Sequence, residues 1–201
     1  MKVLRLQMNP HFIFNSLNSV SDYIGKNETV TANYFLSKFA KMMRLVLEHS
    51  EKSVITLAED LLVVETYIQL EGLRLKNDLR YEIIVDPGID PEAILVPPLI
   101  VQPFVENSIW HGLSGKTDAG MISIRITREA GMIRYTVEDN GIGRSAAAGN
   151  TSVGKRSMGL RITRDRLDVL NQTKGTTAGV EITDLSPGTR VELSLPLQLN
   201  D

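Results

Sequence analysis

The sequence predicts an α+β protein: an N-terminal helical hairpin, followed by an α/β sandwich with a mixed, mostly antiparallel sheet. Three observations predict it. As far as about residue 75 the apolar residues recur at steps of three and four, the helical period. From Leu79 onward they alternate in short runs punctuated by glycine and proline, the period of half-buried strands. At 201 residues and 42% hydrophobic, the chain can bury the core of a small helical module and one compact domain.

In chain order, Leu6, Pro10, Ile13, Leu17, Val20 and Ile24 form a heptad-like seam that needs a partner helix. After Gly25 to Thr29 a second helix offers two seams, Ala32, Phe35, Phe39, Met42, Val46 and Leu36, Ala40, Met43, Leu47. A helix apolar on two sides packs against both its hairpin mate and something else, which gives either a homodimeric four-helix bundle or a monomeric hairpin lying on the next domain. Thr56 and Glu59 form a capping-box pattern, and Leu57, Leu61, Val64, Ile68 and Leu75 continue a third helix from Leu57 to Leu75. Residues 1–54 are thus read as the hairpin, 55–76 as a connecting helix and 77–201 as the sandwich.

Within 77–201, Leu79, Tyr81, Ile83 and Val85 alternate as a strand before the Pro87-Gly88 turn. Pro97-Pro98 sets up a helix from Leu99 to Trp110, with Pro103 as a kink or as the start of its regular part and Gly112 as its end. Ile122, Ile124, Ile126 and Ile133, Tyr135, Val137 flank the Glu129-Ala130-Gly131 turn as a hairpin. Arg144 to Ser157, without an apolar period, reads as a mobile loop. Leu160, Thr163, Leu167 and Leu170 mark a last helix, and strands near Val180 to Ile182 and Arg190 to Leu195 flank Ser186-Pro187-Gly188.

Composition narrows the function. A net charge of -2 provides no basic excess, so a nucleic acid is not expected as a direct partner. Without cysteine, disulfides and thiolate metal sites are excluded, and the three histidines, His11, His49 and His111, are not paired at metal-ligand spacing. No apolar run reaches the roughly 20 residues of a membrane-spanning helix. The motif-bearing helix begins almost at Met1, so the chain reads as a fragment of a longer protein.

Chemistry concentrates in two places. Gln7, His11, Asn15 and Asn18 lie on one face of the first helix, and Pro10 beside the histidine removes an amide donor, a feature costing about 3 kcal/mol in a helix interior. A neutral imidazole can attack phosphorus through one ring nitrogen while the other holds a proton. The second place joins Glu106-Asn107-Ser108-Ile109-Trp110-His111-Gly112 to Asp139-Asn140-Gly141-Ile142-Gly143 at a strand end. There glycines admit tight turns, while Ser157-Met158-Gly159-Leu160 opens a helix whose unpaired amides favour phosphate, with Lys155 and Arg156 just ahead.

These motifs, with Asn9-Pro10-His11-Phe12-Ile13-Phe14-Asn15 before them, resemble the cytoplasmic core of LytS-type sensor histidine kinases, from about Leu4 to Pro196. The resemblance implies a phosphoacceptor hairpin joined to a GHKL-type ATP-binding domain. His11 would be phosphorylated from ATP and pass the phosphoryl group to an aspartate of a response regulator. Asn15 would serve dephosphorylation of that partner, Glu106 would act as base or orient a water, and Asn107 would ligate Mg²⁺. His111, Lys155, Gly159 and Leu160 would lie at the phosphates, and Asp139, Gly141 and Gly143 would bind adenine. The implied partners are a second copy of the chain and a response regulator; the membrane would be met only through a missing N-terminal sensor region, with this part on the cytoplasmic side of a bacterial inner membrane. Three departures stand out. Phe12 occupies the place where many histidine kinases carry an acid that orients the histidine, Trp110 replaces a lysine or other polar residue, and Ile162 replaces an asparagine. A GHKL ATPase that does not phosphorylate itself and a nucleotide-binding or inactive dimeric scaffold are the alternatives.

Overall fold

The structure is a computed structural model that describes residues 10–75, 79–113, 116, 118–143, 163–172 and 177–200. Helices α1 (Pro10–Gly25) and α2 (Thr29–Ser50) form the hairpin. The chain reverses through Asn27, whose φ of 60° is a left-handed conformation that asparagine tolerates better than most residues. Leu6, and with it the expected kink before Pro10, lies outside the described residues.

The two helices do not use all their apolar residues as the sequence suggests. On α2 the seam of Ala32, Phe35, Met42 and Val46 is buried as expected, with Phe39 packed against the core. On α1 the buried residues are Phe12, Ser16 and Tyr23, whereas Leu17 is 48% and Ile24 60% exposed. The inward face of α1 is thus rotated from the expected seam. Phe12 turns it, its ring centroid standing 5.1 Å from that of Tyr67 and 6.0 Å from that of Phe39.

Helix α3 (Leu57–Leu75) has the span expected. Its capping box is made in full: the Glu59 amide donates to Thr56 Oγ1 at 3.1 Å and the Thr56 amide to Glu59 Oε2 at 2.9 Å. The Tyr23 hydroxyl donates to the Leu73 carbonyl at 2.6 Å, pinning α1 onto α3.

A five-stranded sheet has the order β2-β4-β5-β7-β6, from β2 (Leu79–Val85), β4 (Gly120–Glu129), β5 (Met132–Asp139), β6 (Gly179–Asp184) and β7 (Thr189–Pro196). All neighbours pair antiparallel except β2 with β4, so the sheet is mixed. The β4–β5 turn places Ala130 and Gly131 at φ 48° and 78°, the pair of positive φ values that matches strand twist in a two-residue hairpin. Alternation along β5 buries Ile133, Tyr135, Val137 and Asp139 on one side. Residues 163–172 form a helix, α5, with Thr163 and Leu167 buried.

A small antiparallel pair escaped sequence reading: β1 (Ile55–Thr56) with β3 (Leu95–Val96), each two residues long and too short to show a period. The segment after Pro97-Pro98 also differs from expectation. Leu99 sits at φ 58°, so no helix begins there; helix α4 runs Gln102–Asn107 with Pro103 in its first turn, and a π-helical turn continues it over Ser108–Leu113. Gly112 lies inside that turn and does not close a helix. Left-handed backbone at a branched apolar residue costs on the order of 1–3 kcal/mol and persists only where it is held. Asp60, buried on α3, holds it: the Leu99 amide donates to Asp60 Oδ1 at 2.9 Å and the Tyr135 hydroxyl reaches Asp60 Oδ2 at 3.5 Å. Burial raises the Asp60 carboxyl to about 7, against the lowering pull of the Leu99 amide and Arg166. Arg166 itself donates to the Pro98 carbonyl at 3.0 Å, tying α5 to the loop that launches α4.

Candidate active site

Three glycines determine where Asp139 sits. It ends β5 with its carboxylate buried, and Oδ1 accepts the Gly141 amide at 2.9 Å. A Cβ on Gly112 would come within 2.8 Å of that same oxygen. One on Gly141 would overlap the Gly112 backbone, and one on Gly188 the Asp139 backbone. The Ile142 amide donates to the Gly112 carbonyl at 3.0 Å, which locks the 139–143 turn onto the π-helical turn. Gly143 has φ 75° and Gly188 φ 106°, conformations favouring glycine. Burial raises the Asp139 carboxyl, opposed by bonds from the Gly141 amide and from Ser108. Asn140 anchors the rear of the turn, its Oδ1 accepting the Met121 amide at 2.8 Å.

Glu106 and Asn107 close α4, both partly buried. Gln102, one turn earlier, donates from Nε2 to Glu106 Oε1 at 3.1 Å. Desolvation carries the Glu106 carboxyl up to about 7; the Gln102 bond lowers it and the nearby Glu71 charge raises it. A carboxyl poised near neutrality beside a polar turn suits proton transfer. His111 is partly buried in the π-helical turn.

His11 lies against this same segment. Its ring centroid is 4.7 Å from that of Trp110, at an interplanar angle of 53°. Asn15, one turn along α1, places Nδ2 3.3 Å from His11 Nδ1 and 3.4 Å from Nε2, at the long end of hydrogen-bond range. The imidazole itself is exposed. The helical hairpin and the segment after Asn107 are thus in direct contact at His11.

Lys155, Gly159 and Leu160 lie outside the described residues. The structure thus packs Asp139 and Gly141 against Gly112 of the π-helical turn that follows Glu106 and Asn107, and sets His11 of α1 against Trp110 of that same turn. Sequence reading missed Gln102, Ser108, Tyr67, Glu71 and Arg74 as site neighbours, and gave Gly112 and Gly188 other roles. For the glycines, proximity to the motifs was a usable signal. For Glu71 and Arg74, in the middle of a regular helix, there was none.

The family model for histidine kinase-, DNA gyrase B-, and HSP90-like ATPases matches residues 97–199, and the histidine kinase model matches residues 1–79. The chain belongs to the family of histidine kinase-, DNA gyrase B-, and HSP90-like ATPases. The sensor histidine kinase YesM of Bacillus subtilis is 28% identical over 197 residues, covering 98% of this chain and 33% of YesM. The sensor histidine kinase/phosphatase LytS of Staphylococcus aureus is 31% identical over 203 residues, 98% of this chain and 34% of LytS. The chain therefore spans about a third of the length of these curated relatives. Among solved structures, the histidine kinase domain of the Erythrobacter litoralis EL346 blue-light activated histidine kinase superposes with TM-score 0.56 at 20% identity, over 80% of this chain and 75% of that one, which establishes a shared fold.

A histidine kinase domain of this ATPase class binds ATP, and the described residues fit that ligand. The buried Asp139 carboxylate, among close-packed glycine backbone, is an acceptor suited to an exocyclic amine. For Mg²⁺ the donor set is one side-chain amide oxygen, from Asn107. Among the described residues no cluster of three acidic or histidine side chains could hold a metal, so the phosphates and water would supply the other ligands.

Proposed function

We propose that this chain is the catalytic core of a LytS-type two-component sensor histidine kinase, phosphorylating His11 from ATP with Mg²⁺ and passing the group to a response-regulator aspartate. The observation that carries this reading is the contact of His11 with Trp110, three residues beyond Asn107 on the same helical segment. In the proposed division residues 1–54 dimerise and carry the phosphoryl group, 55–76 connect, and 77–201 bind the nucleotide. A ring nitrogen of His11 forms a bond to the γ-phosphorus as the bond to the bridging oxygen of ADP breaks. ADP leaves with that electron pair, and the Glu106 carboxylate takes the proton from the other ring nitrogen, directly or through a water. Positioning and charge stabilisation carry most of the rate in such transfers. Asn107 would hold Mg²⁺, whose chemistry is to neutralise phosphate charge. The test is incubation with γ-labelled ATP and Mg²⁺: acid-labile, base-stable label is expected, and acid-stable label or none from a nucleotide-binding protein would overturn the reading.

Glu106 acts as its carboxylate. Because its carboxyl is raised to about 7, the active form is lost as pH falls through that value. Phosphorylation should therefore rise with pH from 6 to 8. In Glu106→Gln the rate should fall by about 100-fold or more and that pH limb should vanish, the scale of a missing general base. An unchanged pH profile in the variant would exclude the role.

Asn15 serves the reverse chemistry, orienting water at the partner's aspartyl phosphate; its amide already lies across the His11 ring edge. Asn15→Ala is expected to slow dephosphorylation of a phosphorylated receiver protein by about 10-fold or more while leaving autophosphorylation within about 3-fold, a difference of roughly 0.7 kcal/mol. Equal dephosphorylation by both forms would refute it.

The dimer face is the one left uncovered on the hairpin. Leu17, Ile24, Leu36 and Leu47 are 46–60% exposed and lie away from the buried seams. A second copy covers them in a four-helix bundle. Leu36→Glu with Leu47→Glu should convert a dimer into a monomer by sedimentation; a dimer of unchanged strength would place the interface elsewhere.

The membrane contact is proposed through a sensor region outside this chain, with this part on the cytoplasmic side. No helix among the described residues is long and apolar enough to cross a membrane.

A further inference from the structure

Phe12 cannot orient His11 by accepting its ring proton. It has no polar atom and is buried against Tyr67 and Phe39. Phosphoryl transfer needs the imidazole held near an attack geometry, and the Asn15 contacts at 3.3 and 3.4 Å are long for that task. The structure supplies a different restraint, built around the single tryptophan of the chain.

Trp110 is fixed from two sides by residues of α3. Its indole Nε1 donates to the buried Tyr67 hydroxyl at 3.0 Å. The Arg74 guanidinium stands 4.3 Å from the indole ring centroid, a cation–π contact. Arg74 is held in turn by Glu71, donating from NH2 at 2.6 Å and from Nε at 3.0 Å to Glu71 Oε2. The π-helical turn explains how the indole reaches these partners: its wider winding shifts Trp110 from the position an α-helix would give it, three residues after Asn107.

Stability does not account for this arrangement. Glu71 is wholly buried, and its second oxygen has no hydrogen-bond partner among the described residues. A buried ion pair with an unsatisfied carboxylate oxygen is generally neutral or unfavourable relative to a hydrophobic replacement. Such a group is expected where its charge serves something else. The partner at hand is His11, whose charge lowers the Glu71 carboxyl, as the Arg74 bond and charge do, against the larger raising effect of burial. As a ring nitrogen of His11 takes up phosphorus, positive charge develops on the imidazole, and a nearby buried carboxylate stabilises it.

We propose that Trp110, clamped by Tyr67 and by the Arg74–Glu71 pair, is the positioning residue that docks the His11 imidazole on the asparagine-bearing helix for phosphoryl transfer. This rests on the kinase reading above. Trp110 touches the nucleophile and takes no part in bond making. In this chain the orienting acid that would follow the histidine is replaced by a platform and charge from the connecting helix and the nucleotide domain.

The test combines spectroscopy with single-turnover kinetics on the whole chain. The indole should displace the His11 ring-proton NMR signals by its ring current. That displacement is expected to shrink in Tyr67→Phe and in Trp110→Phe, each of which removes the indole–hydroxyl bond, and to disappear in Trp110→Ala. The phosphorylation rate at saturating ATP should fall at least tenfold in Trp110→Ala and in Glu71→Gln, with affinity for a non-hydrolysable ATP analogue unchanged, and Trp110→Phe should recover most of it. His11 signals without a ring-current shift in the parent chain, or a Trp110→Ala rate within twofold of it, would overturn the proposal. If the parent binds the analogue but takes up no phosphate, the kinase reading fails and the positioning role falls with it. If the parent is phosphorylated and Trp110→Phe is as slow as Trp110→Ala with part of the His11 shift retained, the proposal alone fails.

Discussion

His11→Gln is expected to lose all acid-labile phosphate while keeping both its fold and its nucleotide affinity. Glutamine retains polarity and approximate length but has no ring nitrogen to attack phosphorus, and no other described histidine can substitute. His49 is buried at the far end of α2, beside Glu59, with its pKa lowered chiefly by desolvation. His111 stands on the nucleotide side, within the π-helical turn. Since His11 is exposed, the substitution should change stability by no more than the aromatic contact with Trp110, roughly 0.5–1.5 kcal/mol. Intact mass after incubation with ATP, a thermal melt and analogue binding measured side by side check the three parts. Retained phosphohistidine in this variant would place the acceptor elsewhere. ATP turnover unaffected by the change would favour an ATPase that does not phosphorylate itself.

Gly141→Ala should abolish nucleotide binding, weakening it by at least about 100-fold, or ~2.7 kcal/mol. The added methyl meets Gly112 backbone, which cannot retreat because its own Cα faces the Asp139 carboxylate and its carbonyl accepts the Ile142 amide. Relief requires the 139–143 turn and the π-helical turn to part. Asp139 then loses the Gly141 amide, and Asn107 and Asp139, carried by those two segments, lose their spacing. Gly88→Ala is the control, since nothing lies within 4 Å of the position its Cβ would take. Titration with a fluorescent ATP analogue, alongside circular dichroism, separates a lost site from a lost fold. Binding as tight as in the parent would show that the two turns have room that their packing denies.

Much of the architecture was readable because it rests on local periodicity. The α3 span follows from a capping box and one apolar stripe, and the β4–β5 hairpin from alternation around Ala130-Gly131. The inward face of α1 was misread for a reason internal to the chain. Phe12, Ser16 and Tyr23 are a mixed set, less apolar than Ile13, Leu17, Val20 and Ile24, so hydrophobicity alone selected the wrong stripe. Of the more apolar stripe Leu17 and Ile24 stay exposed while Val20 packs on the core, and a pattern does not say which of two apolar faces meets its own chain. The helix around Asn107 was misread because Pro97-Pro98 is a strong local start signal. Tertiary bonds from Asp60 to Leu99 and from Arg166 to Pro98 override it and delay the helix to Gln102.

What the sequence determined by itself was the chemistry available: an imidazole beside amides on one helix, an acid–amide pair on another, and an aspartate ahead of glycines at a strand end. Residue type and short spacing express these directly. What only the tertiary structure decided was which of them meet. The π-helical turn, the contacts of Gly112 with Gly141 and of Gly188 with Asp139, and the Tyr67–Trp110–Arg74–Glu71 cluster join segments as many as 49 positions apart, from Asp139 to Gly188. Such encounters depend on close packing between elements, and close packing leaves no period in the chain.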